Sequence, residues 1–297
     1  MQRRAFVELA CGVLAASPLP GLRHLHAPGV DRRLAERCGA LERRVRGRLG
    51  VAALDVAADR ATGYRAHERF PMCSTFKLLL AARILVRVDR SEERLDRVIR
   101  YSASDLLAYA PVTRRHLAEG GMTVAALIEA ALEYSDNTAA NLLLGTIGGP
   151  GGVTTFVRRL GDDITRLDRL EPELNSAVPG DPRDTTAPRA MVVDMRRVLL
   201  GDVLTARSRG RLLAWLEHNT TGGDKIRAGV PATWRAGDKT GSGGYGSTND
   251  VAILWPRPEA PILVAAYLTE TSAPAPDRNA ALAQVGRIVA EWAMQRR

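Results

Sequence analysis

Lysine is almost missing from this chain. Of 42 basic residues only Lys77, Lys225 and Lys239 are lysines, which leaves 39 arginines. Arginine therefore serves wherever a plain surface charge is enough. A retained lysine is either chance or a need for a compact ammonium that can lose its proton when desolvated. Cysteine is equally sparse, at Cys11, Cys38 and Cys73. That is too few for a disulfide framework, and neither the cysteines nor the five histidines have metal-ligand spacing. No metal or other cofactor is expected. Although the net charge is +9, no run of five or six like charges occurs and no aromatic residues interleave the basic ones. The charge reads as a generally positive surface, with no nucleic-acid partner. No apolar run is long enough to span a membrane.

What is present is an ordinary globular composition over 297 residues, 45% hydrophobic and 25% charged, long enough to bury a large core. The first residues, MQRRAFVELACGVLAASPLP, resemble a twin-arginine export signal over 1–28, so a periplasmic or secreted protein is expected. Residues 31–48 space Leu34, Cys38, Leu41 and Val45 along one helical face. LGVAALDVA and GYRAHERF read as strands. A mainly helical middle follows, broken at 171–188 by EPELNSAVPGDPRDTTAP. WRAGDKTGS, TNDVAILWP and PILVAAYLTE give three more strands before a closing amphipathic helix, NAALAQVGRIVAEWAMQ. The expected class is α+β: a mostly antiparallel five-stranded sheet built from both chain ends and covered by the terminal helices, with an all-α domain inserted. The division expected is 29–70 with 214–297 for the sheet domain and 71–213 for the helical one, the site lying in the cleft between them.

Four short motifs carry chemistry. In PMCSTFKLLL, Lys77 follows Ser74 by three residues, so one helical turn carries its amine over the face of the hydroxyl. A desolvated lysine can activate such a hydroxyl as a nucleophile. A bare S-x-x-K is equally a serine N-cap followed by a lysine. Ser135, Asp136 and Asn137 precede a second helical run and are also favoured capping residues. Glu171 and Asn175 open the proline-rich interruption, where a carboxylate and an amide can hold a water molecule and take its proton. Finally DKTGSGGYGSTND contains a literal G-x-G-x-x-G. A dinucleotide fingerprint needs a helix after the glycines, and a Walker loop needs its lysine after the second glycine. Here a strand follows and Lys239 comes first, so both nucleotide readings fail. A side-chain-poor strand that a ligand can approach closely remains.

Together S-x-x-K, S-D-N, E-x-x-x-N and K-T-G, in that order, make the chain from about residue 31 onward resemble a class A serine β-lactamase. The lysine count supports this, since two of only three lysines fall on motif positions. The resemblance implies hydrolysis of penicillins and cephalosporins through an acyl-enzyme on Ser74, with Lys77 as base or proton relay. It implies that Ser135 passes a proton to the lactam nitrogen and that Asn137 binds the substrate's side-chain amide. Glu171 with Asn175 would activate the hydrolytic water. Lys239 and Thr240 would hold the substrate carboxylate beside Gly241. The N–H groups of Ser74 and Ser242 would form the oxyanion hole, and Tyr109 would stand at the cleft mouth. Lys225 and Arg278 are alternative sources of one further charge for that carboxylate. The loop 169–184 resembles the family's Ω-loop, with an Arg169–Asp184 ion pair and a cis bond before Pro172. Cys73 has no partner across the site, so no disulfide is expected there. A monomer is expected. A DD-peptidase or a β-lactam-binding sensor would share the serine chemistry, but Glu171 with Asn175 argues for the hydrolase.

Overall fold

The computed structural model describes residues 31–295; the expected export signal lies outside them. The first helix, α1 (Arg32–Val45), opens on Asp31, whose side chain accepts from the Leu34 N–H. Strands β1 (Arg48–Asp55) and β2 (Arg60–Tyr64) form a hairpin, and a short β3 (Phe70–Pro71) leads to α2 (Phe76–Asp89). The expected strand 63–70 does not run through: Arg65 takes a left-handed φ of 46° and Glu68 closes a turn onto its carbonyl. A non-glycine residue at positive φ ends regular pairing, so the ladder stops at Tyr64.

Next come β4 (Val98–Arg100) and β5 (Gly121–Thr123), paired with each other, then helices α3 (Val124–Glu133), α4 (Asn137–Gly145) and α5 (Pro150–Arg159). The proline-rich interruption ends in β6 (Thr185–Thr186), which pairs with β3, and α6 (Pro188–Leu199) and α7 (Ala206–Glu217) complete the middle. A short α8 (Ile226–Gly229) precedes β7 (Arg235–Ser242), β8 (Thr248–Trp255), β9 (Ile262–Thr269) and the closing α9 (Ala275–Met294).

The main sheet has the order β2-β1-β9-β8-β7, antiparallel throughout, so both chain ends build it as expected. Alternation sorts its side chains between two cores. Val51, Ala53, Val264 and Ala266 meet Leu34 and Cys38 of α1 and Val285 and Val289 of α9. Ala52, Leu54, Val251, Ala265 and Tyr267 face the other way, into a larger core with helices α2 to α7. Helix α2 runs through the middle of that core, with Leu78, Leu79, Leu80, Ile84 and Leu85 fully buried. The turn Cys73–Thr75 that feeds this helix meets the edge strand β7, and that junction fixes the site. Among the described residues no helix is long and apolar enough to cross a membrane.

Candidate active site

Ser74 sits in a tight turn (Cys73–Thr75) that feeds α2. Cys73 before it has a left-handed φ of 45°, a conformation that costs energy outside glycine and persists only when its surroundings enforce it. They do. The Met72 N–H donates to the Asp184 carbonyl at 2.9 Å, and Asn249 Nδ2 on β8 donates to the carbonyls of Pro71 (2.8 Å) and Met72 (3.1 Å). Thr75 Oγ1 donates to the Met72 carbonyl at 2.8 Å. Ser74 makes no capping bond to the helix, so the N-cap reading of S-x-x-K fails.

Lys77 is buried, and its Nζ lies 3.0 Å from Glu171 Oε1. It also donates to the Ser135 carbonyl (2.8 Å), to Asn137 Oδ1 (2.7 Å) and, at 3.4 Å, to Ser135 Oγ. The sequence spacing put this amine over the Ser74 hydroxyl. Instead these acceptors hold it, and the long 3.5 Å approach from Ser74 Oγ goes to Glu171 Oε1. Burial pushes the Lys77 ammonium toward its neutral form, and Glu171 opposes that.

The S-D-N turn does both things its residues allow. Asp136 caps α4 through the Ala139 N–H (2.9 Å), and its other oxygen takes the N–H groups of Val112 and Thr113 at 2.9 Å each. Ser135, at a φ of 58°, turns its hydroxyl toward Lys239 Nζ at 3.1 Å. The Asn137 N–H donates to the Tyr109 carbonyl at 3.1 Å, and the Tyr109 ring is half exposed at the rim.

Glu171 is buried in the proline-rich loop. Its bond to Pro172 is cis, and Arg169 Nε meets Asp184 Oδ2 at 2.6 Å, both as expected. Asn175 Nδ2 donates to Glu171 Oε2. Asn141, which the sequence reading passed over, pins the same residue. Its Nδ2 donates to the Glu171 carbonyl (2.9 Å) and its Oδ1 accepts the Glu171 N–H (3.0 Å). The available signal was spacing, because Asn141 lies one helical turn beyond Asn137.

On β7, Lys239 is fully buried and also donates to the Thr240 carbonyl at 3.1 Å. Desolvation, reinforced by the like charge of Lys77, pushes it down to about 7. Thr240 Oγ1 meets Thr221 Oγ1 at 2.5 Å. The glycines are there for close approach: a Cβ on Gly241 would lie 2.8 Å from the Met72 carbonyl and 3.2 Å from the Ser74 nitrogen. At Gly243 it would lie 2.6 Å from the Asn175 carbonyl oxygen. Side chains there would push the strand off both the serine turn and the loop.

Between these elements opens a cleft of about 390 Å³. Ser74, Ser135, Asn137, Asn175, Thr240 and Ser242 line it with Tyr109, Thr221, Lys225 and Gly241. Lys77, Glu171 and Lys239 stand behind this wall. Lys225 Nζ donates to the Thr221 carbonyl (3.1 Å) and to Asp224 (2.9 Å). Arg278 is held by Thr248 Oγ1 and the Ala273 carbonyl. Cys38 and Cys73 are free thiols. A serine hydroxyl facing a buried carboxylate, with two ammonium groups close by, is equipment for acyl transfer through a covalent intermediate.

Comparison with known proteins agrees with this class of chemistry. A model of the beta-lactamase enzyme family matches residues 33–293. Beta-lactamase CTX-M-8 of Citrobacter amalonaticus is 45% identical over 291 residues, 98% of each chain. Beta-lactamase L2 of Stenotrophomonas maltophilia is 52% identical over 250 residues, 84% of this chain and 82% of that one. The solved structure of an ancestral class A beta-lactamase (GNCA) superposes with a TM-score of 0.86 at 58% identity, covering 87% of this chain and 99% of that one. The chain belongs to the class A β-lactamases and is a serine hydrolase that acts on β-lactams.

Proposed function

We propose that the protein opens penicillins and cephalosporins by forming an ester on Ser74 and then hydrolyses that ester with a water activated by Glu171. The observation that carries this is the Glu171 carboxylate, tied to Asn175 and Lys77 and 3.5 Å from Ser74 Oγ. In the first half, Ser74 Oγ attacks the lactam carbonyl carbon as its proton passes into the buried Glu171–Lys77 pair, 3.0 Å apart, which keeps Lys77 as its base when Glu171 is replaced. The carbonyl oxygen takes the charge and is held by the N–H groups of Ser74 and Ser242. The C–N bond then breaks, and the nitrogen receives the Ser135 hydroxyl proton, which Lys77 replaces across 3.4 Å with the proton taken from Ser74, so Glu171 is again a free carboxylate. In the second half, water held by Glu171 and Asn175 attacks the ester carbon and gives its proton to Glu171. The ester C–O bond then breaks, and Ser74 leaves as the free hydroxyl with that proton returned from Glu171. Asn175 Oδ1, buried and without a partner, supplies an acceptor for that water.

Lys239, Thr240 and Thr221 form the binding edge for the substrate carboxylate. Lys225 is the further cation we assign to it, because it lines the cleft while Arg278 does not. Asn137 takes the side-chain amide and Tyr109 covers the mouth. The chain divides into a sheet domain of 29–70 with the C-terminal part and a helical domain from 71. The expected second junction at 213–214 falls inside α7, so we place it in the connection from α7 to α8. Export through the twin-arginine-like leader and action as a monomer complete the reading.

The test mixes the protein with a chromogenic cephalosporin and follows both turnover and intact mass. Wild type should turn over without lasting mass change, and Glu171→Gln should accumulate a stable adduct on Ser74. A lasting adduct in the wild type would favour a peptidase or a sensor, and no adduct in either protein sinks the nucleophile.

A further inference from the structure

On the outer side of the proline-rich loop, away from Ser74, lies a second and more enclosed cavity of about 120 Å³. Its walls carry four guanidinium groups, Arg48, Arg69, Arg169 and Arg183, against two carboxylates, Asp181 and Glu270. Three of the four arginines already have an acid. Arg48 Nε donates to Glu270 at 2.9 Å, Arg169 Nε to Asp184 at 2.6 Å, and Arg183 meets Asp181 at 2.8 Å. Arg69 differs. Its Nη1 donates to the Ile164 carbonyl (2.7 Å) and to Thr185 Oγ1 (3.1 Å), both neutral. Among the described residues no carboxylate lies within ion-pair distance of it.

We infer that this cavity is a binding site for a small tetrahedral oxyanion of the phosphate type, which ties the Ω-loop to the edge of the main sheet. Three features favour such a ligand. Planar guanidinium forks match oxyanions two oxygens at a time, and charge-assisted bonds of this kind are the strong ones. Arg48 also meets Glu68 at 3.4 Å, so the charge left over is that of Arg69, and an enclosed wall concentrates its field inside the cavity. Its size suits a small ion and is too small for a β-lactam. The four arginines come from separated parts of the chain. Arg48 lies on β1 and Arg69 just before β3, while Arg169 and Arg183 stand at the two ends of the loop. One anion touching them closes the loop stem against the sheet, beside the stretch Ala177–Pro182 that also lines the cavity. This holds whatever role Glu171 plays in the cleft.

The experiment uses the whole protein with inorganic phosphate, and chloride at equal ionic strength as control. Phosphate should raise the thermal midpoint by mass action and slow proteolytic cutting within 177–183. Calorimetry should give a dissociation constant that Arg69→Gln weakens by about tenfold or more. Val178→Glu, which sets a carboxylate at the mouth from a side chain 46% exposed, should weaken it similarly without touching a guanidinium. Lys225→Gln, in the cleft, should leave it unchanged. If phosphate acts equally on both cavity variants and wild type, or loses its effect in Lys225→Gln, the ion sits in the cleft and the inference is wrong. An equal response to chloride reduces the effect to general screening and also overturns it.

Discussion

Lys239 holds its ammonium out of solvent, with Lys77 as a second buried cation nearby. Lysine, unlike arginine, can release its proton under that pressure, which accounts for its survival in a chain that otherwise defaults to arginine. The consequence is a pH dependence with a definite sign. With its pKa pushed down to about 7, the free enzyme loses this cation as pH rises through neutrality. Attraction for the substrate carboxylate should fall with it. We expect kcat/KM for a penicillin to decline from about pH 6 to about pH 9, because that ratio reports the free enzyme's ionisations. In Lys239→Arg the guanidinium stays charged, so the absolute rate drops but the declining limb should vanish. A wild-type profile that stays level, or the same limb in the variant, would show that another group titrates. Asn141 supports the chemistry differently. Removing both of its bonds in Asn141→Ala frees the backbone at Glu171, and should cost about 2 kcal/mol of stability. Urea melts would read that cost, and a lingering Ser74 adduct would report slowed hydrolysis.

Among the elements, the amphipathic helices and the last three strands were legible because burial imposes their periods directly on the sequence. The expected strands at 234–242, 248–256 and 261–270 each lie within a residue or two of β7, β8 and β9. The missed part was local: 65–69 alternates like a strand, but Arg65 turns out of the sheet to meet Glu42 at 2.8 Å. A long-range ion pair leaves no periodic trace. The candidate site was legible where the proposed chemistry asks for rare residue types, as at Ser74, Lys77, Glu171 and Lys239, which the fold brings together. It was illegible at Asn249 and Asn141, which position backbone and look like ordinary polar residues. Gly243 falls between the two, readable as an open strand but not as a contact. A Cβ there meets the Asn175 carbonyl oxygen and the Cys73 sulfur at 2.6 and 2.7 Å. Gly243→Ala should therefore force β7 and the Ω-loop apart, at a cost of about 1–3 kcal/mol. A thermal midpoint equal to wild type, with unchanged turnover, would show that the strand absorbs the methyl.

For the whole molecule, a heavy buried burden lies outside the cleft, at Asp194 on α6. It interrupts the apolar run Met191-Val192-Val193 and Met195, has no solvent exposure, and neither of its oxygens has a hydrogen-bond partner. Around it stand Asp162 after α5, Arg158 on α5, Arg197 on its own helix and the Tyr267 hydroxyl on β9. Burial first, and then the Asp162 charge, push its carboxyl up to about 9, against the pull of Arg197 and Arg158. The folded protein thus keeps a proton that the unfolded chain releases near the ordinary aspartate value. Stability should fall as pH rises from about 4 toward 9, by as much as roughly 1.4 kcal/mol per pH unit from this group alone. Below that window the group contributes no slope. Asp194→Asn keeps the shape and the donor and acceptor of the protonated acid while removing its ionisation. The variant should match wild type near pH 4 and be the more stable protein at pH 8, with a visibly flatter curve of thermal midpoint against pH. Parallel curves for the two proteins would mean that Asp194 is ionised in the fold, its charge carried by Arg197 and Arg158.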